Sequence, residues 1–191
     1  MPGAGFARRR RDGNAARGTA VRRPMRPRLL LLCGLAFVAA LATAPAGAFE
    51  AGERAPGFAL ATATGETVSL ESLRGKVVYV DFWASWCGPC KRSFPWMNEL
   101  QKKYGAAGLA IVAINVDKKR PDAERFLAQV PAAFTIVYDA PGATPAAFAV
   151  KGMPTSFLID AKGTIVMIEQ GFRDEGAADV EARIRALLAA R

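Results

Sequence analysis

Beyond residue 48 the chain is a series of short apolar runs set between polar punctuation, and their period changes along its length. The clearest run is 77–82, Val-Val-Tyr-Val-Asp-Phe. β-Branched and aromatic residues predict a strand here, and near-continuous apolarity predicts a central one covered on both faces. Residues 109–116 and 134–138 repeat the pattern. Two shorter strands are expected at 58–61 and 67–69 around Thr64-Gly65, after a polar lead-in over 49–56. Residues 69–73 read as a helical turn, ended by Arg74-Gly75-Lys76. Residues 156–159 and 164–169 read as a hairpin about Ala161-Lys162-Gly163.

The period then lengthens. In 174–188 the apolar positions Val180, Ile184, Leu187 and Leu188 fall at helical spacing. Residues 121–130 form a second expected helix, with Pro121 suited to its first turn, and 144–148 a short third one. After a loop over 83–89, a helix is expected to begin near Cys87 or Cys90 and run to about Tyr104. Pro95 inside it predicts a kink or offset. Strands alternating with helices, then a closing hairpin and helix, define an α/β domain over 49–191. About 140 residues suffice to bury a real core, and no internal repeat is visible.

The first 48 residues have a different pattern. Residues 25–48 carry the marks of a secretory signal peptide: Arg26 and Arg28 at the basic end, an apolar run over 29–41, and Ala46-Gly47-Ala48 as a small-residue cleavage site ahead of Phe49. The rival is an uncleaved anchor, but Thr43, Pro45 and Gly47 weaken the last third as a bilayer span. Residues 1–24 are rich in Arg, Gly and Ala without apolar periodicity, so they read as disordered, or as untranslated if Met25 is the start. Arg22-Arg23 is a weak twin-arginine match because Pro24 follows. Cys33 lies within the apolar run and reads as a small hydrophobe that leaves with the signal. The expected destination is outside the cytosol, most simply a bacterial periplasm, where disulfides persist.

Charge and composition narrow the chemistry. The formal net charge is +9, but residues 1–48 hold nine Arg against Asp12 alone, while 49–191 holds 17 basic and 16 acidic residues. The basicity belongs to the leader, which argues against a nucleic-acid surface on the folded part. The chain has no His. That excludes Ser-His-Asp and Cys-His nucleophilic catalysis, His-ligated metals and a Cys-x-x-Cys-His haem site.

Two Cys remain after the leader, Cys87 and Cys90, in Trp86-Cys87-Gly88-Pro89-Cys90. A pair at this spacing can close a small-ring disulfide at a helix start. The first thiol, at the exposed helix N-terminus, gains thiolate character from free N–H groups and the dipole. The second, a turn further on and more buried, can attack a mixed disulfide. This asymmetry assigns Cys87 as nucleophile and Cys90 as resolving thiol. Gly88 allows close approach of a partner chain, and Pro89 suits the first helical turn. A zinc knuckle needs about four ligands, and two thiols without His supply too few. A purely structural disulfide would close so short a loop that it gains little. Two inert buried thiols are the third alternative.

The segment Val80-Asp81-Phe82-Trp83-Ala84-Ser85-Trp86-Cys87-Gly88-Pro89-Cys90-Lys91 resembles the thioredoxin active site nearly letter for letter. The lead-in Gly52-Glu53-Arg54-Ala55-Pro56-Gly57-Phe58, the run Leu73-Arg74-Gly75-Lys76-Val77-Val78 and the stretch from Gly152 through Met153-Pro154-Thr155 to Asp160 resemble secreted TlpA/ResA-type thiol-disulfide oxidoreductases. The resemblance covers about 50–190. It implies a thioredoxin fold, a central mixed sheet flanked by helices, with an N-terminal extension and an inserted helix and strand after the first βαβ unit.

The same resemblance implies further site residues. Pro154 matches a cis-proline beside the Cys pair, which would leave the Met153 backbone free to pair with a client strand. Asp81 matches a buried acid that accepts the proton of the resolving thiol; burial raises a carboxylate pKa and suits it to that task near neutral pH. Some relatives carry a Glu three residues after the second Cys, and this chain has Ser93 there. Trp83, Trp86 and Phe82 are candidates for an apolar docking rim, with Trp83 equally a core residue. Trp96 reads as packing, and Lys118-Lys119-Arg120 as a solvated loop. The implied clients are disulfide-containing proteins, and the implied electron donor is a membrane thiol transporter. No metal or cofactor is required. Gly-Pro between the thiols resembles the reducing thioredoxin dipeptide. The alternatives are a thiol peroxidase on the same fold, which would normally carry its Cys in a Thr/Ser pocket with an Arg, and a copper-delivery module, whose relatives use a longer Cys spacing and a His.

Overall fold

The computed structural model describes residues 49–190; the signal peptide and basic segment expected over 1–48 lie outside them. Seven strands and four helices follow in the order β1 (Ala59–Ala61), β2 (Thr67–Ser69), β3 (Val77–Trp83), α1 (Cys90–Tyr104), β4 (Leu109–Asn115), α2 (Arg120–Gln129), β5 (Thr135–Tyr138), α3 (Ala143–Ala147), β6 (Thr155–Ile159), β7 (Ile165–Gln170) and α4 (Asp174–Ala189). A single 3₁₀ turn, Glu71–Leu73, links β2 to β3. Boundaries differ from the sequence expectation by one or two residues, the normal fraying of element ends.

The main sheet has the order β5-β4-β3-β6-β7. β4 runs parallel to β3 and to β5, whereas β6 is antiparallel to β3 and to β7. It is therefore a mixed sheet with β3 at its centre, and all seven β3 residues are buried. The period of two divides its side chains between two cores. Val77, Tyr79 and Trp83 face a cluster with Phe94, Met97 and Leu100 of α1, Phe126 of α2, and Val180 and Ile184 of α4. Val78, Val80 and Phe82 face the other side, with Phe58, Leu70, Phe148 and Phe157. β1 and β2 form the separate two-stranded N-terminal extension. After the βαβ unit β3-α1-β4, the added helix α2 and strand β5 place β5 on the sheet edge beside β4.

Local chemistry explains the punctuation. The β6–β7 turn is built by Asp160, whose Oδ1 accepts from the Lys162 and Thr164 N–H groups, and Gly163 takes φ +86°. α1 remains helical through the exposed Pro95, whose ring deprives the Lys91 carbonyl of its intrahelical donor. The Lys118-Lys119-Arg120 run is exposed, as expected, and two of its side chains also make long-range contacts. Lys118 Nζ donates to the Ala140 carbonyl (2.7 Å), and Arg120 donates to the Ala63 carbonyl (2.8 Å) while lying over the Tyr138 ring. These contacts tie the β4–α2 connection to the β5–α3 turn and to the N-terminal extension.

Candidate active site

The site grows from the end of β3. β3 delivers the chain into the buried core at Trp83 and Ala84, and a loop then surfaces before α1 begins at Cys90. In that loop Trp86 is 71% exposed, the one large exposed hydrophobic among the described residues. Gly88 and Pro89 are also exposed. Cys87 and Cys90 form a disulfide with a Cα–Cα separation of 5.4 Å. Pro89 is the N-cap of α1, with helical dihedrals (φ −61°, ψ −27°), so it leads into the helix rather than lying in its first turn.

The helix start differs from the simplest expectation. Cys87 lies three residues before α1 and is 3% exposed, against 0% for Cys90. The expected order of exposure holds, but both residues are buried, because Cys87 packs with Trp83 and Phe94 in the α1-side core. The Cys90 N–H donates to Cys87 Sγ (3.3 Å). This contact aims one of the free N–H groups of the helix start at the first sulfur. Ser93 is buried and donates its hydroxyl to the Cys90 carbonyl (3.2 Å).

Asp81 is 1% exposed and points to the face of the sheet covered by α1 and α4. Register supplies its partner: β6 places Ser156 directly opposite, and Ser156 Oγ donates to Asp81 Oδ1 (2.7 Å). Oδ2 has no partner among the described residues. Burial pushes the carboxyl up from 3.8 to about 7, opposed by the Ser156 hydrogen bond. Tyr79, two residues back on the same face, has its phenol pushed well up, by burial first and then by Asp81. It therefore stays neutral, leaving Asp81 as the group here that can change charge near neutral pH.

The Met153–Pro154 peptide bond is cis. Pro154 is buried, and Met153 is half-buried and packs against the cluster that holds both Cys residues. A cavity of about 130 Å³ opens beneath this loop, lined by Phe148, Val150, Met153, Pro154 and Gln170 among others. Of the aromatic rim candidates, only Trp86 is exposed. Phe82 and Trp83 are each 0% exposed, since they lie on β3 with one core on each side. Trp96 packs on Tyr79 and Phe172, as expected of a packing residue.

A model of the family described as Redoxin matches residues 50–184. Thiol-disulfide oxidoreductase ResA of Bacillus subtilis is 33% identical over 148 residues, spanning 77% of this chain and 83% of the relative. The chain belongs to the Redoxin family, as a thiol-disulfide oxidoreductase of the TlpA/ResA type. ResA of Geobacillus thermodenitrificans is 38% identical over 124 residues, 65% of this chain and 71% of the relative. Among solved structures, a Chlorobium tepidum protein provisionally described as thiol:disulfide interchange protein DsbE superposes with a TM-score of 0.71. It shares 53% identity and covers 73% of this chain and 99% of its own. This Redoxin-family chain thus has the thioredoxin fold expected from its active-site segment.

Sequence reasoning missed one polar group beside the loop. Asp117, 5% exposed, accepts from the Ser85 N–H and from the Ser85 hydroxyl, both at 2.9 Å. Its signal was the alternation Asn115-Val116-Asp117 at the C-terminal end of a central parallel strand, where α/β sheets place their sites.

Proposed function

We propose that this oxidoreductase is a periplasmic reductase of protein disulfides, made as a leader over 1–48, with the signal peptide at 25–48, and a catalytic domain over 49–191. The observation that carries the reading is the Cys87–Cys90 disulfide at the loop–helix junction, on the sheet face that also bears the buried Asp81. In the reduced enzyme the Cys87 thiolate attacks a client disulfide. A Cys87–client bond forms, and one client sulfur leaves as a thiolate and takes up a proton. Cys90 gives its proton to Asp81, and its thiolate attacks Cys87 Sγ. The second client sulfur leaves and is protonated, and the enzyme is left oxidised. Two electrons pass from the enzyme dithiol to the client disulfide.

Trp86, Gly88 and Pro89 form the exposed client-facing edge, and the Met153 backbone beside Pro154 offers pairing groups to an extended client segment. The Gly-Pro dipeptide supports the reductive direction. Reduction in an oxidising compartment needs an electron supply, and a membrane thiol transporter fits that need. The test is Cys90→Ser in the native host. Without the resolving thiol, Cys87 holds clients as mixed disulfides that can be purified, and alkylation trapping shows wild-type enzyme mostly reduced at steady state. No mixed disulfides refutes the exchange mechanism; a wholly oxidised wild-type pool refutes the reductive direction.

A further inference from the structure

The loop that presents Cys87 is held by a group outside the thiols and Asp81. Asp117 Oδ2 accepts from the Ser85 N–H (2.9 Å) and from Asn115 Nδ2 (2.8 Å), and Oδ1 accepts from Ser85 Oγ (2.9 Å). The Asp117 N–H donates back to Asn115 Oδ1 (3.1 Å). Both residues are buried, Asn115 at 1% exposure. The network is anchored on two sides. The Val116 N–H donates to the Trp83 carbonyl (3.0 Å), and the Asp139 N–H to the Asn115 carbonyl (2.8 Å). Asp139 in turn accepts from the Gly142 and Thr144 N–H groups, which fixes the turn into α3. Ser85 is two residues before Cys87, and the Cys87 N–H closes a turn on the Ala84 carbonyl (3.0 Å).

We propose that Asp117 is a positioning residue for the redox reaction: by clamping Ser85 it sets the backbone that presents Cys87 to the client. Three donors converge on a buried carboxylate, and hydrogen bonds to a charged acceptor are the strong ones. Asp81 cannot replace it, because its hydrogen bond goes to Ser156 on β6. With the clamp removed, the 84–89 loop keeps the Ala84 turn and the disulfide but loses its tie to β4. A nucleophile displaced by about 1 Å loses up to roughly a hundredfold in rate.

The inference rests on Cys87 being the attacking thiol. The experiment measures the rate of the reduced enzyme with dithiobis(nitrobenzoate), and the pH dependence of Cys87 alkylation, in Asp117→Ala, Asp117→Asn and Ser85→Ala. Asp117→Ala is expected to slow the reaction about tenfold and move the alkylation midpoint. Asp117→Asn is expected to stay within about threefold of wild type. Its amide oxygen can still accept from the Ser85 and Asn115 N–H groups, and its NH₂ can donate to the Ser85 hydroxyl. Ser85→Ala, which loses one of the contacts, is expected to slow about threefold.

A wild-type rate and midpoint in Asp117→Ala overturns the proposal. So does an Asp117→Asn loss as large as that of Asp117→Ala, since charge and not positioning would then be responsible. Where Asp117→Ala does not fold, an unchanged rate in Ser85→Ala overturns it. A Cys87→Ser control that still reacts at the wild-type rate instead overturns the assignment of the nucleophile.

Discussion

Asp81→Asn tests stability and chemistry together. The carboxyl is buried at 1% exposure, and burial pushes its pKa up to about 7 in the fold, against 3.8 as a free group. Below pH 3.8 both states hold a neutral acid, and the group contributes no pH dependence. As pH rises through 3.8 the unfolded chain ionises first, so folding loses stability until about pH 7, where the folded state ionises too. That rise corresponds to about 4 kcal/mol of destabilisation above pH 7. The introduced amide keeps an acceptor for the Ser156 hydroxyl, but its NH₂ takes the place of Oδ2, which has no partner among the described residues. That unmade bond costs about 1–3 kcal/mol. Urea unfolding of the oxidised protein from pH 4 to 8.5 should therefore show the variant about 1–3 kcal/mol more stable than wild type at pH 8. The advantage should vanish or reverse at pH 4. In turnover the same variant should lose on the order of 100-fold in release of the mixed disulfide, the contribution of a positioned proton acceptor. A stability difference independent of pH refutes the buried-acid argument; wild-type release across pH 6–9 refutes its catalytic use.

Two further substitutions probe the rim and the core. Trp86→Ala removes a ring that is 71% exposed, so unfolding free energy should change by less than about 0.5 kcal/mol; KM for a protein disulfide should rise severalfold while the rate with a small aromatic disulfide stays near wild type. Phe94→Ala empties a position with rings at 5.0 Å (Trp83), 5.1 Å (Phe126) and 5.2 Å (Phe134), and should cost about 3–5 kcal/mol in denaturant unfolding of the oxidised protein.

What the sequence exposed was what local pattern controls. The run from Val77 announced a central strand because both of its faces are covered, and that same fact defeated the expectation of a Phe82 and Trp83 rim. An aromatic beside an active-site motif looks functional in one dimension. Only its strand position shows that alternate side chains must enter opposite cores. Trp86 escapes because it lies past the end of β3, in the loop. The Lys118-Lys119-Arg120 run is exposed, as its composition predicts. What composition does not predict is that Lys118 and Arg120 also find carbonyls at Ala140 and Ala63, distant in sequence and brought close by the fold.

The polar groups around the disulfide show the limit most clearly. Asp81 was visible only because the segment around it resembles a known active site; nothing local marks an acid in an apolar strand as buried and partnered. Its partner Ser156 lies 75 residues away, and the antiparallel β3–β6 register makes them neighbours. Asp117 lies 32 residues from Ser85, joined to it by the parallel β3–β4 pairing that sets Trp83 against Asn115. In both cases register decides the chemistry. A slip of one residue would turn each side chain to the opposite face, taking Ser156 from Asp81. The continuous apolar surface of β3 fits two cores at once, and that fit resists such a slip. The hydrophobic pattern thus supplies the precision that the polar residues require, although it does not identify them.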